Sequence, residues 1–197
     1  MRSGLEVCIL CLLLVFLSSC AVLDGNLSSQ GYGIDLLRSR QPRGKTCAST
    51  CLYVVARHWG ISKSMRQIEA ELGSIPEGGY TLRQLRDWAR EEGLGAYVVK
   101  GTVQELKTQT RAGRPVILTF RQGRRGNHSV VVRGVTMSED ILAMDPRKGR
   151  YVCFRQRRLV PQWEALGCPM LVIAPLTGST GVSKNDLSFV VVPENRQ

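Results

Sequence analysis

The stretch QPRGKTCASTCLYVVARHW, residues 41–59, decides how the chain folds. Pro42 and Gly44 break regular structure, and apolar positions 48, 51, 52, 55 and 59 then trace a helical stripe. Cys47 therefore stands in the first turn of a helix. Backbone amides without intrahelical partners, together with the helix dipole, favour thiolate over thiol there. A thiolate is the nucleophile of cysteine catalysis, and it needs a base and a polarised carbonyl. The plainer alternative is a small buried residue, the usual fate of a free Cys. Cys51, one turn on and facing the core, fits that alternative better. A disulfide between the two is not expected, because positions i and i+4 hold their Cβ atoms too far apart.

Downstream, Ser64 to Leu72 repeats the stripe with Met65, Ile68 and Leu72. Thr81 and Gln84 form a capping box that opens a third helix, with Gly93 as its stop. Thr102 and Glu105 form another, for a short helix ending at Gly113. The period then changes. Pro115 to Phe120, His128 to Val135, Ile141 to Met144, Tyr151 to Phe154 and Met170 to Ala174 read as strands between turns. Helices come first and antiparallel strands after, so the expected class is α+β. The apolar run Phe189 to Val192 suits a last edge strand or a tail over 177–197.

The whole composition is consistent with this reading. The chain has 197 residues, 43% of them hydrophobic and 22% charged, which suits one domain with a real core and excludes a wholly disordered chain. There is no internal repeat. The net charge of +11 admits nucleic acid, anionic membrane surfaces or acidic peptides as partners. Arg121, Arg124, Arg125, Arg155, Arg157 and Arg158 lack interleaved aromatics, so nucleic acid is not expected and a solvated face is.

Residues 1–19 read as a signal peptide: one Arg, an apolar run from Val7 to Leu17 too short to span a bilayer, then small residues. Leu17-Ser18-Ser19-Cys20 resembles the bacterial lipobox, which implies lipidation of Cys20; an ordinary secretory signal is the alternative. In a Gram-negative envelope, Ala21 in place of Asp leans toward the outer membrane, on its periplasmic side. Residues 20–40 then form a lipidated tether, and residues 41–176 the folded domain. Cys8 and Cys11 leave with the signal peptide.

Only two histidines exist. His58 ends the first helix and suits a packing role. His128 heads an apolar strand after the loop Gly123 to Asn127, placing it at a rim or cleft as a base. Asp145 begins the turn Asp-Pro-Arg-Lys-Gly. It either makes an Asx turn or holds an imidazole in the correct tautomer. Gln41, six residues before Cys47, is either a solvated loop residue or an oxyanion donor acting with the backbone N–H of Cys47.

Gln41, Cys47 with Ala48 to Leu52, Thr81 to Leu85, Arg114 to Ile117, Asn127 to Val132, Asp145-Pro146, Gly149, Phe154 and Trp163 keep an order and spacing. That pattern resembles the bacteriocin-processing, double-glycine-leader peptidases, papain-like cysteine proteases usually fused to an ABC exporter. The resemblance runs from about Gln41 to Pro175. It implies Cys47 as nucleophile, His128 as general base and acid, Asp145 as orienter and Gln41 as oxyanion donor. It also implies cleavage of a peptide bond, often after Gly-Gly, through a thioester acyl-enzyme, a mechanism that requires no cofactor. The partners expected are a peptide or protein substrate, with an acidic leader as one candidate, and a secretion or export system as a further candidate, although a free-standing lipoprotein cannot share the exporter-coupled role.

The pattern departs from the family at Ala48, where Gly is common, and an attached exporter is not expected, because these residues contain no set of membrane spans. Gly44-Lys45-Thr46 resembles the end of a phosphate-binding loop, but Ser39 replaces its first Gly and no strand leads in, so nucleotide binding is rejected. A papain-like cell-wall hydrolase or amidase and a non-catalytic peptide-binding lipoprotein stay open. A zinc site from Cys47, Cys51, His128 and Cys153 is weaker. Cys153 and Cys168 either pair or stay free. Arg124 and Arg125 adjoin the expected cleft and are candidates for attracting acidic peptides.

Overall fold

The structure is a computed structural model that describes residues 33–42 and 44–176. The expected signal peptide, the lipidation residue Cys20 and the tail 177–197 lie outside these residues.

Helix α1 (Cys47–His58) forms as its stripe predicts, burying Ala48, Cys51, Leu52, Val54 and Val55. Trp59 closes it, with Nε1 donating to the carbonyl of Ile173 at 3.0 Å. Helices α2 (Met65–Leu72) and α3 (Leu82–Glu91) both start with complete capping boxes, at Ser64 with Gln67 and Thr81 with Gln84. Helix α4 (Val103–Arg111) has half of one: Thr102 accepts from the N–H of Glu105 without a reciprocal bond. Helix α5 (Gln156–Glu164) completes the helical set among the described residues.

Strands β1 (Leu94–Lys100), β2 (Val116–Arg121), β3 (Asn127–Val135), β4 (Ile141–Asp145), β5 (Arg150–Phe154) and β6 (Pro169–Pro175) form one sheet in the order β1-β6-β2-β3-β4-β5. Every pairing is antiparallel. Side-chain alternation gives the sheet two apolar faces. Ile117, Val131 and Met144 meet α1 to α3 in one core. Leu118, Val130 and Val132 meet Leu106, Leu159 and Trp163 of α4 and α5 in the other. Each such buried side chain contributes roughly 1.5–3 kcal/mol relative to exposure. At Gly101 a Cβ would lie 2.5 Å from Met170 Sδ and 3.0 Å from the Trp163 ring, so a side chain there would force these core groups to shift.

The α+β class holds, with three departures. β1 and α4 stand between the early helices and the main run of strands. α5 breaks into that run. Residues 33–40, expected within the tether over 20–40, are packed on the domain. Ile34 N–H donates to Arg133 O at 2.7 Å and Arg133 Nε donates back to Ile34 O at 2.6 Å. Leu36 is buried, and its N–H donates to the Tyr151 hydroxyl at 2.8 Å. Arg38 and Arg133 both lie over the Tyr151 ring, at 4.5 and 4.2 Å from its centroid. Residues 33–40 are thus a strap packed on β3 and β5.

Candidate active site

Cys47 is the first residue of α1, and the side chain of Thr46 before it makes no cap bond to the helix amides. The sulfur interacts with the His128 ring and with the backbone N–H groups of Ser129 and Ala48. Burial by itself would push the thiol up. These three partners outweigh burial and hold Cys47 below the ordinary thiol value of 9.0. Cys51 shows the contrast: burial first, then the nearby Cys47 and Asp145, push it well above 9.0. The same helix therefore holds one thiol shifted down and one shifted up.

His128 is fully buried rather than displayed on a rim. The edge of its ring meets Phe120, centroids 5.7 Å apart. Its Nε2 lies 2.9 Å from Asp145 Oδ1. Its Nδ1 is buried without a hydrogen bond of ordinary geometry, and the Cys47 sulfur is the other group coupled to the ring. Burial would depress the imidazole. The Asp145 bond and the Cys47 sulfur reverse this and raise it above 6.5.

Asp145 makes both of the contacts that its position allowed. Its Oδ1 takes the imidazole and also accepts from the N–H of Arg147 at 2.9 Å, which is the Asx turn. Its carbonyl accepts from Gly149 N–H at 2.7 Å, where φ of +66° and the nearby Arg40 require glycine. Burial raises the carboxyl, but His128 and the Arg147 N–H prevail and hold it below 3.8.

Gln41 sits against this turn. Its N–H donates to Pro146 O at 2.8 Å and its Oε1 is buried, so it is not a solvated loop residue. Arg124 and Arg125 lie in a 3-10 turn, Gly123–Arg125, and both are exposed. Arg125 lines the cleft beside Cys47, and Arg124 does not. His58 ends α1 with Nε2 3.0 Å from Gly113 O, away from the other site residues.

The cleft encloses about 820 Å³ between the start of α1, the loop Glu77 to Tyr80, the start of α3, and the sheet at Thr119 and Ser129. Sequence reading missed Thr119, Ser129 and the glycine pair Gly78-Gly79. Strand alternation puts Ser129 on the same face as Val131, the face that meets α1, and its antiparallel partner Thr119 follows from register. Among the described residues no group of His, Cys, Asp and Glu is arranged to hold a metal, so the zinc alternative does not assemble. Cys153 and Cys168 are not joined to each other by a disulfide.

The helical layer on an antiparallel sheet, with Cys and His brought together across their boundary, defines a papain-like cysteine-peptidase fold. Residues 38–167 match the model of the peptidase C39 family, and the chain belongs to that family. Among solved structures it is similar to the peptidase domain of Streptococcus ComA, described as a bifunctional ABC transporter involved in a quorum-sensing pathway. The TM-score there is 0.60 at 22% identity, covering 74% of this chain and 99% of that one. It is similar to a double-glycine-motif protease from an AMS/PCAT transporter in complex with the leader peptide, with TM-score 0.59, 19% identity and 74% and 96% coverage. It is also similar to a C39-like peptidase from Bacillus anthracis, with TM-score 0.58, 16% identity and 71% and 94% coverage. No curated protein matches the sequence.

Proposed function

We propose that this chain hydrolyses peptide bonds through Cys47, His128 and Asp145, acting on leader-type peptides with cleavage after Gly-Gly as the first candidate. The observation that carries the reading is one imidazole joined to Asp145 at 2.9 Å and coupled to a thiol that two backbone N–H groups also stabilise. Cys47 Sγ attacks the carbonyl carbon as the thiolate, with the proton on His128. The N–H of Cys47 and the Gln41 side-chain amide donate to the oxyanion. His128 then protonates the departing amine, leaving a thioester. His128 next takes a proton from water, whose oxygen attacks the thioester and releases the acid. Asp145 keeps the ring oriented throughout. No step needs a cofactor.

Two solved relatives of the fold belong to transporters, one in complex with its leader peptide, which supports a peptide substrate and an export partner. The same reading anchors the domain in the bacterial envelope through lipid on Cys20. Metabolic labelling with a fatty acid, lost in Cys20→Ala, tests the anchor. Profiling of residues 21–197 on a peptide library, with Cys47→Ala as control, tests the activity. Cleavage after small-residue pairs supports the leader reading. Cleavage confined to cell-wall muropeptides supports a wall hydrolase, and binding without turnover a non-catalytic lipoprotein.

A further inference from the structure

Two hydroxyls lie on the cleft surface next to the nucleophile. Thr119 of β2 and Ser129 of β3 are direct antiparallel partners, with Oγ1 and Oγ 2.8 Å apart. Both line the cleft, and the backbone N–H of the same Ser129 stabilises the Cys47 sulfur. A hydroxyl has one proton to donate. One bond between two hydroxyls uses one proton, whichever is the donor. The second finds no partner among the described residues and is left for a group in the cleft.

The charge around this pair restricts that group. Lys45, Arg83, Arg125 and Arg147 line the same cleft against a single carboxylate, Glu77. Arg147 is joined to Gln122, while no described carboxylate pairs with Lys45, Arg83 or Arg125. A free O–H beneath a cationic rim favours an anionic acceptor over a neutral one, since hydrogen bonds to charged groups are the stronger kind. A lysine side chain could use the hydroxyl lone pairs but meets four like charges in the cleft, Lys45, Arg83, Arg125 and Arg147, against the one carboxylate of Glu77.

We propose that Thr119 and Ser129 form the floor of a subsite that takes a carboxylate side chain, Glu or Asp, of the peptide being cut. The inference rests on the peptidase reading and names a specificity site within it. It differs from attraction by Arg125 alone, because it depends on two uncharged residues and on one position in the substrate.

The test is a set of peptides in which Glu, Gln or Leu is moved singly through the residues flanking the scissile bond. The expected result is one position at which Glu raises kcat/KM by about tenfold over Leu, as one charged hydrogen bond allows. Thr119→Val with Ser129→Ala brings that ratio close to one, and Thr119→Ser, which keeps the hydroxyl, retains it. Absence of a Glu-preferring position, or a preference that survives in the double variant, overturns the subsite while leaving the peptidase reading intact. If the wild-type protein cuts none of the peptides, the peptidase reading fails by itself. The subsite is then judged by fluorescence-anisotropy binding of the same peptides to the Cys47→Ala protein. Tighter binding of a Glu peptide that vanishes on adding Thr119→Val and Ser129→Ala supports it, and equal or undetectable binding of all peptides overturns it.

Discussion

The backbone N–H of Gln41 donates to the carbonyl of Pro146, 2.8 Å away, so the segment leading into the nucleophile helix is fastened to the turn that carries Asp145. Two parts of the site far apart in sequence thereby share one local geometry. Gln41→Ala keeps this backbone bond and removes only the amide. The expected outcome is a fall in kcat of about 10²–10³, the cost of one oxyanion donor, with KM little changed. Steady-state kinetics on a cleaved peptide measure it.

The two thiols of α1 separate cleanly. Cys47→Ala is expected to abolish hydrolysis and labelling at that position. Cys51→Ala keeps both, at a modest cost in stability for the small cavity left in the core. Mass-mapped alkylation at neutral pH checks this: label accumulates at Cys47 while Cys51, fully buried and pushed up, stays unmodified. Equal labelling of the two would contradict an activated Cys47.

The pH profile follows from the same shifts. Cys47 lies below 9.0 and His128 above 6.5, so the thiolate–imidazolium pair extends its range in both directions. The kcat/KM curve is expected to fall on the alkaline side when His128 loses its proton, at a pH above 6.5. Asp145→Asn removes the main group that raises His128. It should move that limb to lower pH and reduce turnover by about two to four orders of magnitude with the circular dichroism of the folded domain retained. An unmoved alkaline limb would detach Asp145 from the imidazole.

Arg124 and Arg125 are neighbours with different outlooks. Charge reversal at Arg125, on the cleft, is expected to raise KM for an acidic peptide, and added salt should shrink the difference. The same change at Arg124 should leave KM nearly unchanged. Equal effects at both positions would point to long-range attraction without a local contact.

Tyr151→Phe tests the strap. The hydroxyl accepts from Leu36 N–H and also lies 2.9 Å from Asp35 Oδ1, so its loss is expected to lower stability by about 1 kcal/mol. Thermal unfolding measures it.

Much of this is legible in the sequence wherever the signal is local. The stripe after Cys47, the box at Thr81, and the alternation from His128 to Val132 each need only a few adjacent residues, whereas the box at Ser64 goes unread and that expected at Thr102 forms only in half. The parts that escape depend on distant partners. Leu94 to Lys100 follows a helix almost without a gap and is a strand because β6, Pro169–Pro175, pairs with it. Helix α5 has no start signal of its own: Asp140 supplies it from elsewhere, accepting from Gln156 N–H at 3.1 Å, and Pro161 obscures its middle. Residues 33–40 look polar and loose until Arg133 and Tyr151 come round to hold them. The site residues His128, Asp145 and Cys47 could be nominated one at a time, but the second neighbour of the sulfur, Ser129 N–H, is visible only once β3 docks on α1.

The strap also has a mechanical consequence. Tension on the chain upstream of residue 33 meets the paired bonds between Ile34 and Arg133 first, then the grip of Tyr151 on Leu36, before it reaches Gln41. These contacts lie on two strands of the sheet and share the load, so a pull from that direction is absorbed before it can disturb the reacting groups.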